Sequence, residues 1–160
     1  MLYLEDHVVG ATDRFGRYEV GRDEILDFAR KYDPQPFHLS DEGAAENPLF
    51  GRLSASGWHT AAMTMAMVVR GFEERGQPAM LGAAGIDELR WLKPVFAGDV
   101  LTLQTEIVDV TRSRRKPWMG TVRTRITVFN QNEEPVMHFT SIVLMRARSE
   151  PDPAMVPESK

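Results

Sequence analysis

The sequence predicts an α+β domain in which an antiparallel sheet curls around one long central helix. Residues 58 to about 72 place apolar side chains on nearly every side of a helix, a pattern typical of a helix that is buried on every side. Three later segments, 100–110, 120–130 and 135–148, alternate apolar and polar residues as half-buried strands do. One buried helix followed by antiparallel strands indicates a sheet wrapped around that helix.

The first third of the chain is predicted to be helical and irregular. Residues 12–20 alternate weakly, as a strand does. A helix is then predicted to begin with Asp23 as its N-cap and to end at Tyr32, because the two prolines of the segment 33–36 disfavour helix in the residues before them. A second break follows at residues 46–51.

The second half supplies the other strand and the turns. Residues 81–92 are extended but rich in Gly and Ala, which indicates that something packs closely on this strand. Residues 130–134 are predicted to form a hairpin turn. We expect one domain over residues 1–148, followed by a flexible proline-rich tail at 149–160.

Composition limits the classes of function. The chain has 160 residues, 42% hydrophobic and 26% charged, which are ordinary proportions for one globular domain. The net charge of −4 argues against nucleic acid as a partner. The absence of cysteine excludes disulfides, thiolate catalysis and cysteine–zinc sites, and it fits a reducing cytosol.

Neither a secretory signal nor a membrane span is predicted. The N-terminus lacks the basic start and apolar run of a signal peptide. The most apolar stretch, 61–69, is much shorter than the roughly 20 residues that a membrane-spanning helix needs. We therefore expect a cytoplasmic protein with no membrane partner.

The segment from Tyr32 to His38 is the first candidate for chemistry. Its prolines stiffen a loop that carries a carboxylate, Asp33, and an imidazole, His38. An Asp–His pair can move protons near neutral pH, since imidazole titrates there and the carboxylate can orient it or share a bound water. The alternative is structural: Asp33 caps a helix end or a turn, and His38 is a satisfied surface residue.

The second candidate is the small-residue turn that opens the central helix, Ser54-Ala-Ser56-Gly57-Trp58. The start of a helix presents free N–H groups and the positive end of the helix dipole. Such a site can stabilise a developing oxyanion, here through the Gly57 N–H. The alternative is an ordinary serine N-cap.

Together the two segments are recognisable. Asp33-x-x-Pro36-x-His38, followed by Phe50-Gly-Arg-Leu-Ser-Ala-Ser-Gly57-Trp-His-Thr60, resembles the MaoC-like dehydratases, the family of (R)-specific enoyl-CoA hydratases. The likeness continues through residues 85–99, which resemble the family's strand leading to a Pro-Val…Gly-Asp turn. It extends over roughly residues 15–144, nearly the whole chain.

The resemblance implies a hotdog fold that forms a homodimer or higher homo-oligomer, with active sites at the dimer interface. It implies reversible hydration of a 2-enoyl thioester to an (R)-3-hydroxyacyl thioester, an activity of fatty acid metabolism, on coenzyme A or acyl carrier protein. Asp33 and His38 would activate the water and return a proton. The Gly57 N–H, with Ser56 beside it, would polarise the thioester carbonyl.

The resemblance implies no cofactor apart from coenzyme A as part of the substrate, and no metal. The four histidines show no pairing typical of a zinc site. Two positions depart from the family's common pattern. Gln35 stands where Asn is common, and its longer arm is expected to shift a substrate-binding contact. Ser56 stands where many members have His.

A basic run lies between two predicted strands at Arg112, Arg114, Arg115 and Lys116. It has two interpretations: guanidinium groups that bind the phosphates of coenzyme A, or a solvated hairpin loop. Met63, Met65 and Met67 are interpreted as core packing, although a methionine wall would also suit an acyl group.

Two other functions fit the same residues. A hotdog thioesterase would use water to cleave the thioester, but the Asp33–His38 loop is a hydratase feature. The chain could also be a catalytically inactive acyl-CoA-binding module or partner subunit, for which Gln35 and Ser56 leave room.

Overall fold

The structure is a computed structural model that describes residues 1–148. The segment predicted to be a flexible tail, 149–160, lies outside the described residues. A short 3-10 helix at Leu4–Asp6 precedes the main elements, which are β1 Thr12–Glu19, α1 Arg22–Tyr32, α2 Pro36–Leu39, α3 Asp41–Ala45, α4 Gly57–Arg75, β2 Met80–Trp91, β3 Val100–Arg112, β4 Met119–Phe129 and β5 Pro135–Arg146. None of the helices within residues 1–148 is long and apolar enough to cross a lipid bilayer.

The strands form one antiparallel sheet in the order β1-β3-β4-β5-β2. Helix α4 packs on the sheet through Met63 and Met67, which are almost fully buried. The sheet residues that share this core come from every inner strand, for example Leu103, Val128 and Phe139. An α+β fold with a sheet wrapped around a long helix is therefore confirmed, and each predicted strand boundary lies within two residues of the observed one.

Two local predictions were wrong. The N-cap of α1 is Gly21, with extended φ and ψ angles of −83° and 139°, while Asp23 lies in the first turn, where its charge favours the helix dipole. Helix α4 is not covered on every side: Trp58, Met65 and Val69 are each more than half exposed. Their spacing along α4 gives a continuous apolar stripe on the face opposite the sheet core.

Strand β2 lies at one edge of the sheet, where only β5 pairs with it among the described residues. Its pairing shifts register at three places, two of them at Gly82 and Gly85. Glu88 has a left-handed φ of 54° in the third irregular stretch, between Asp87 and Arg90. These bulges bend β2 and aim its last residue, Trp91, at the start of α4.

Candidate active site

The end of α1 and the start of α2 bring Asp33 and His38 together. Asp33 is the C-cap of α1, and its N–H donates to the Ala29 carbonyl at 2.9 Å. Pro36 begins α2 with the backbone angle that a first helical turn needs. The His38 N–H donates to the Gln35 carbonyl at 2.9 Å. As a result, Asp33 Oδ2 and His38 Nε2 lie 3.6 Å apart.

The backbone of Ser54 fixes the orientation of His38, which is 5% exposed and is therefore not a surface residue. The Nδ1 atom lies 2.7 Å from the Ser54 carbonyl oxygen. Since a carbonyl oxygen only accepts hydrogen bonds, Nδ1 carries the proton and donates it. In the neutral ring, the Nε2 lone pair then faces Asp33 and can accept a proton.

Two donors hold the Asp33 carboxylate. Ser56 Oγ donates to Oδ2 at 2.6 Å, and Gln35 Nε2 donates to Oδ1 at 2.7 Å. Burial by itself raises the pKa of Asp33, but the hydrogen bonds from Ser56 and Gln35 and the proximity of His38 outweigh burial and lower the pKa. Asp33 is therefore an ionised carboxylate at neutral pH, with lone pairs left to bind a water.

Ser56 makes two contacts: it is the N-cap that the sequence offered as one alternative, and it also binds Asp33, which the sequence did not predict. It is fully buried and is the N-cap of α4, where its Oγ accepts the Trp58 N–H at 3.2 Å. The same Oγ donates to Asp33. Gly57 is the first residue of α4, so its N–H has no acceptor within the helix and is available to a ligand.

Trp91 packs directly on the start of α4. A Cβ atom on Gly57 would lie 2.5 Å from the Trp91 ring, so only glycine permits this approach. The rings of Trp58 and Trp91 meet edge to face with centroids 5.2 Å apart. Trp91 thus forms a wall beside the Gly57 N–H.

These groups line one cleft of about 490 Å³. Four predicted site residues border it: Asp33, Gln35, His38 and Gly57. Its other walls are largely apolar and include residues to which sequence reasoning assigned no role in the site, namely Leu49, Phe50, Thr60, Trp91 and Val136. An apolar cleft with a few convergent polar groups is typical of a small-molecule site.

The basic run does not join this cleft within one chain. Arg112 is paired with Gly120 across β3 and β4, and Gly120 is paired with Met145 of β5. Met145 in turn lies opposite Met80, at the start of β2, whereas Trp91 ends that strand. The run therefore lies at the opposite end of the sheet from the cleft.

Within residues 1–148, no three His, Asp or Glu side chains converge where a metal ion could be held. The prediction that no metal or separate cofactor takes part stays a prediction.

Comparison with known proteins identifies the family. Residues 7–130 match the MaoC like domain. A relative, the 3-hydroxybutyryl-CoA dehydratase of Methylorubrum extorquens, is 30% identical over 155 residues, which are 96% of this chain and 90% of that protein.

Solved structures show the same fold. A MaoC-like dehydratase from Rhodospirillum rubrum is 37% identical and superposes with a TM-score of 0.83, over 94% of this chain and 100% of that one. An (R)-hydratase from A. caviae, 24% identical, matches with a TM-score of 0.63 over 87% of this chain and 97% of that one, and at this identity it supports the fold alone. The predicted hotdog fold is confirmed, and the chain belongs to the MaoC-like dehydratase domain family.

Proposed function

We propose that this protein catalyses the reversible addition of water to a 2-enoyl thioester, giving an (R)-3-hydroxyacyl thioester. The observation that carries the proposal is the position of His38 Nε2, 3.6 Å from Asp33 Oδ2, in a cleft that Gly57 also borders. This reaction needs a group that accepts a proton, a negatively charged group that binds the water, and an N–H that donates a hydrogen bond to the oxyanion.

The first step is attack by a water held between Asp33 and His38. The water oxygen bonds to C3 of the enoyl group while the pair takes one proton from it. The C2–C3 π electrons move toward the thioester carbonyl, whose oxygen becomes negative. The Asp33–His38 pair then returns a proton to C2, so one water is added and the pair regains its starting protonation.

The Gly57 N–H stabilises the charge that develops on the carbonyl oxygen. It lies at the positive end of the 19-residue helix α4 and is fixed before the reaction begins. Ser56 supports this group as the N-cap and supports Asp33 as a hydrogen-bond donor. One buried hydroxyl therefore links the carbonyl site to the water site.

Crotonyl-CoA is the first substrate to test, because a relative is named for the dehydration of 3-hydroxybutyryl-CoA. We expect loss of the absorbance of the conjugated thioester without release of free thiol. Thiol release instead would identify a thioesterase. If neither signal appears across enoyl-CoAs of varied length and branching, the chain is a binding module or partner subunit, and the proposal is wrong.

We expect a homodimer at micromolar concentration, formed through the unpaired edge of β2 and the apolar stripe on α4. Met80 and Ile86 on β2 are each nearly half exposed, as is Trp91 at its end. An unprotected edge strand with apolar side chains is a site for pairing with another chain. Sedimentation equilibrium measures the state directly, and a fully active monomer would contradict this expectation.

A further inference from the structure

Two features of the chain have no role in the reaction as proposed so far. One is the basic loop, defined as residues 112–116, which begins at the last residue of β3 and continues into the turn before β4. The other is the Gly/Ala-rich first half of β2, 82–85, at the edge of the sheet. In a two-fold dimer that pairs through this half of β2, the basic loop of one protomer lies toward the cleft of the other.

The basic loop presents cations on an ordered turn. The Ser113 N–H donates to the Met119 carbonyl and the Met119 N–H to the Lys116 carbonyl, both at 3.0 Å. Arg114, Arg115 and Lys116 are exposed, and among residues 1–148 no carboxylate lies within 4.0 Å of their charged groups. On a chain with a net charge of −4, this is a local concentration of positive charge suited to an anion.

Within one chain the loop is too far from the cleft. The cleft end of the sheet is marked by Met137, opposite Trp91, and the loop end by Met145, opposite Met80. Met137 and Met145 are eight residues apart along β5, so the two ends are roughly 26 Å apart at about 3.3 Å per residue. The loop lies beyond the Met145 end, so a cis contact would have to run the length of the sheet.

Antiparallel pairing of two β2 edges about a two-fold axis reverses this relation. A two-fold axis placed near Gly85 and Ile86 would bring Trp91 of one protomer level with Met80 of the other. Asp87 and Glu88 then face Ala84 and Ala83 rather than each other, so no like charges oppose. The small residues at this position allow the close approach that the sequence indicates.

In that arrangement the partner's basic loop is the nearer one. From β2 it is reached across the partner's β2, β5 and β4, which is three to four strand spacings or roughly 14–19 Å at about 4.8 Å each. We propose that Arg114 and Arg115 of one protomer bind the phosphates of the coenzyme A whose thioester lies in the cleft of the other protomer. This inference rests on the proposed function and on the homodimer.

The first test is Arg114→Ala with Arg115→Ala in the homodimer. We expect KM for crotonyl-CoA to rise about tenfold with kcat little changed, because a contact to the coenzyme A nucleotide is the same in the ground and transition states. The matched control removes two exposed arginines elsewhere, Arg17→Ala with Arg30→Ala, and should leave KM unchanged. An unchanged KM in the loop variant would show that the loop is a solvated turn that does not bind coenzyme A.

The second test separates trans from cis. A heterodimer is purified with two different affinity tags: one protomer carries Asp33→Asn, and the other carries the two loop substitutions. Only the second protomer has an intact acid–base pair. If the loop acts in trans, that site uses the unaltered loop of its neighbour, so KM equals the wild-type value and kcat per dimer is half. If KM is raised as in the loop-variant homodimer, the trans assignment is wrong.

Binding of coenzyme A itself, measured by calorimetry, distinguishes failure of this inference from failure of the proposed function. Wild-type protein that binds coenzyme A through the loop but hydrates no enoyl-CoA would leave the phosphate site standing and remove the hydratase proposal. If the protein hydrates enoyl-CoA normally, and the loop substitutions change neither coenzyme A binding nor KM, the hydratase proposal stands and the phosphate site is wrong.

Discussion

Asp33→Asn is expected to lower kcat by about 10²–10⁴-fold, the usual contribution of a general acid or base. The amide keeps the size of the side chain but loses the charge that binds and polarises water. His38→Ala is expected to lower kcat by the same order, since it removes the Nε2 lone pair that lies 3.6 Å from Asp33. Steady-state kinetics with crotonyl-CoA measure both effects.

The double variant tests whether the two groups act as one unit. If both act on the same water, Asp33→Asn with His38→Ala should be scarcely slower than the poorer single variant, because effects within a catalytic unit are not additive. Independent roles would multiply the two losses instead.

Asp27→Asn is a matched control. Asp27 lies on α1, the helix that Asp33 caps, but its side chain is 78% exposed. It should retain wild-type kcat. Circular dichroism and the melting temperature show whether a variant is folded: if activity merely follows the folded fraction, the pair is structural. Near-native turnover by Asp33→Asn would overturn the assignment of the chemistry.

The closeness of Asp33 and His38 could be predicted from sequence because its geometry is local, whereas their acid–base role was predicted only through the resemblance to the family. Asp33 and His38 are separated by a helix end and a proline-started turn, and the backbone restrictions of proline act on neighbouring residues. The same holds for the start of α4, where Ser56 and Gly57 are adjacent.

The apolar wall of the cleft could not be predicted in the same way. Trp91 meets Gly57 only because β2 returns along β5 with three irregularities in register, and bulges leave no clear pattern in a sequence. Apolar periodicity also does not say which surface covers a side chain. It therefore predicted burial for Trp58 and Met65, which the chain by itself leaves exposed.

Ser56→Ala is expected to impair both stability and the pH dependence of catalysis. Loss of the N-cap costs about 1 kcal/mol, and loss of a hydrogen bond to a carboxylate costs about 1.5–3 kcal/mol more. Ser40→Ala is the matched control, since Ser40 caps α3 through the Gly43 N–H at 2.9 Å and has no carboxylate partner among residues 1–148. It should cost only about 1 kcal/mol, as chemical denaturation would show.

The sign of the pH effect follows from the pKa of Asp33. Burial raises this pKa and the Ser56 hydrogen bond lowers it, so removing the hydroxyl shifts it upward. The acid limb of kcat/KM should therefore move to higher pH in Ser56→Ala, because Asp33 must be ionised to bind and activate the water. Ser40→Ala should leave that limb where the wild type has it.

The same linkage applies to unfolding. A carboxyl whose pKa is lowered in the folded state stabilises the fold above its unfolded pKa, and this contribution is lost as pH falls through the folded pKa. The free-energy difference between wild type and Ser56→Ala should thus be larger at pH 7 than at about pH 3, which is below the unfolded pKa of Asp of about 3.9. The free-energy difference between wild type and Ser40→Ala should be the same at pH 7 and at about pH 3, because the Ser40 hydroxyl does not bind a carboxylate among residues 1–148. If Ser56→Ala shifts neither the acid limb nor the pH dependence of stability, the Ser56–Asp33 hydrogen bond does not tune the carboxylate, and Ser56 is an N-cap alone.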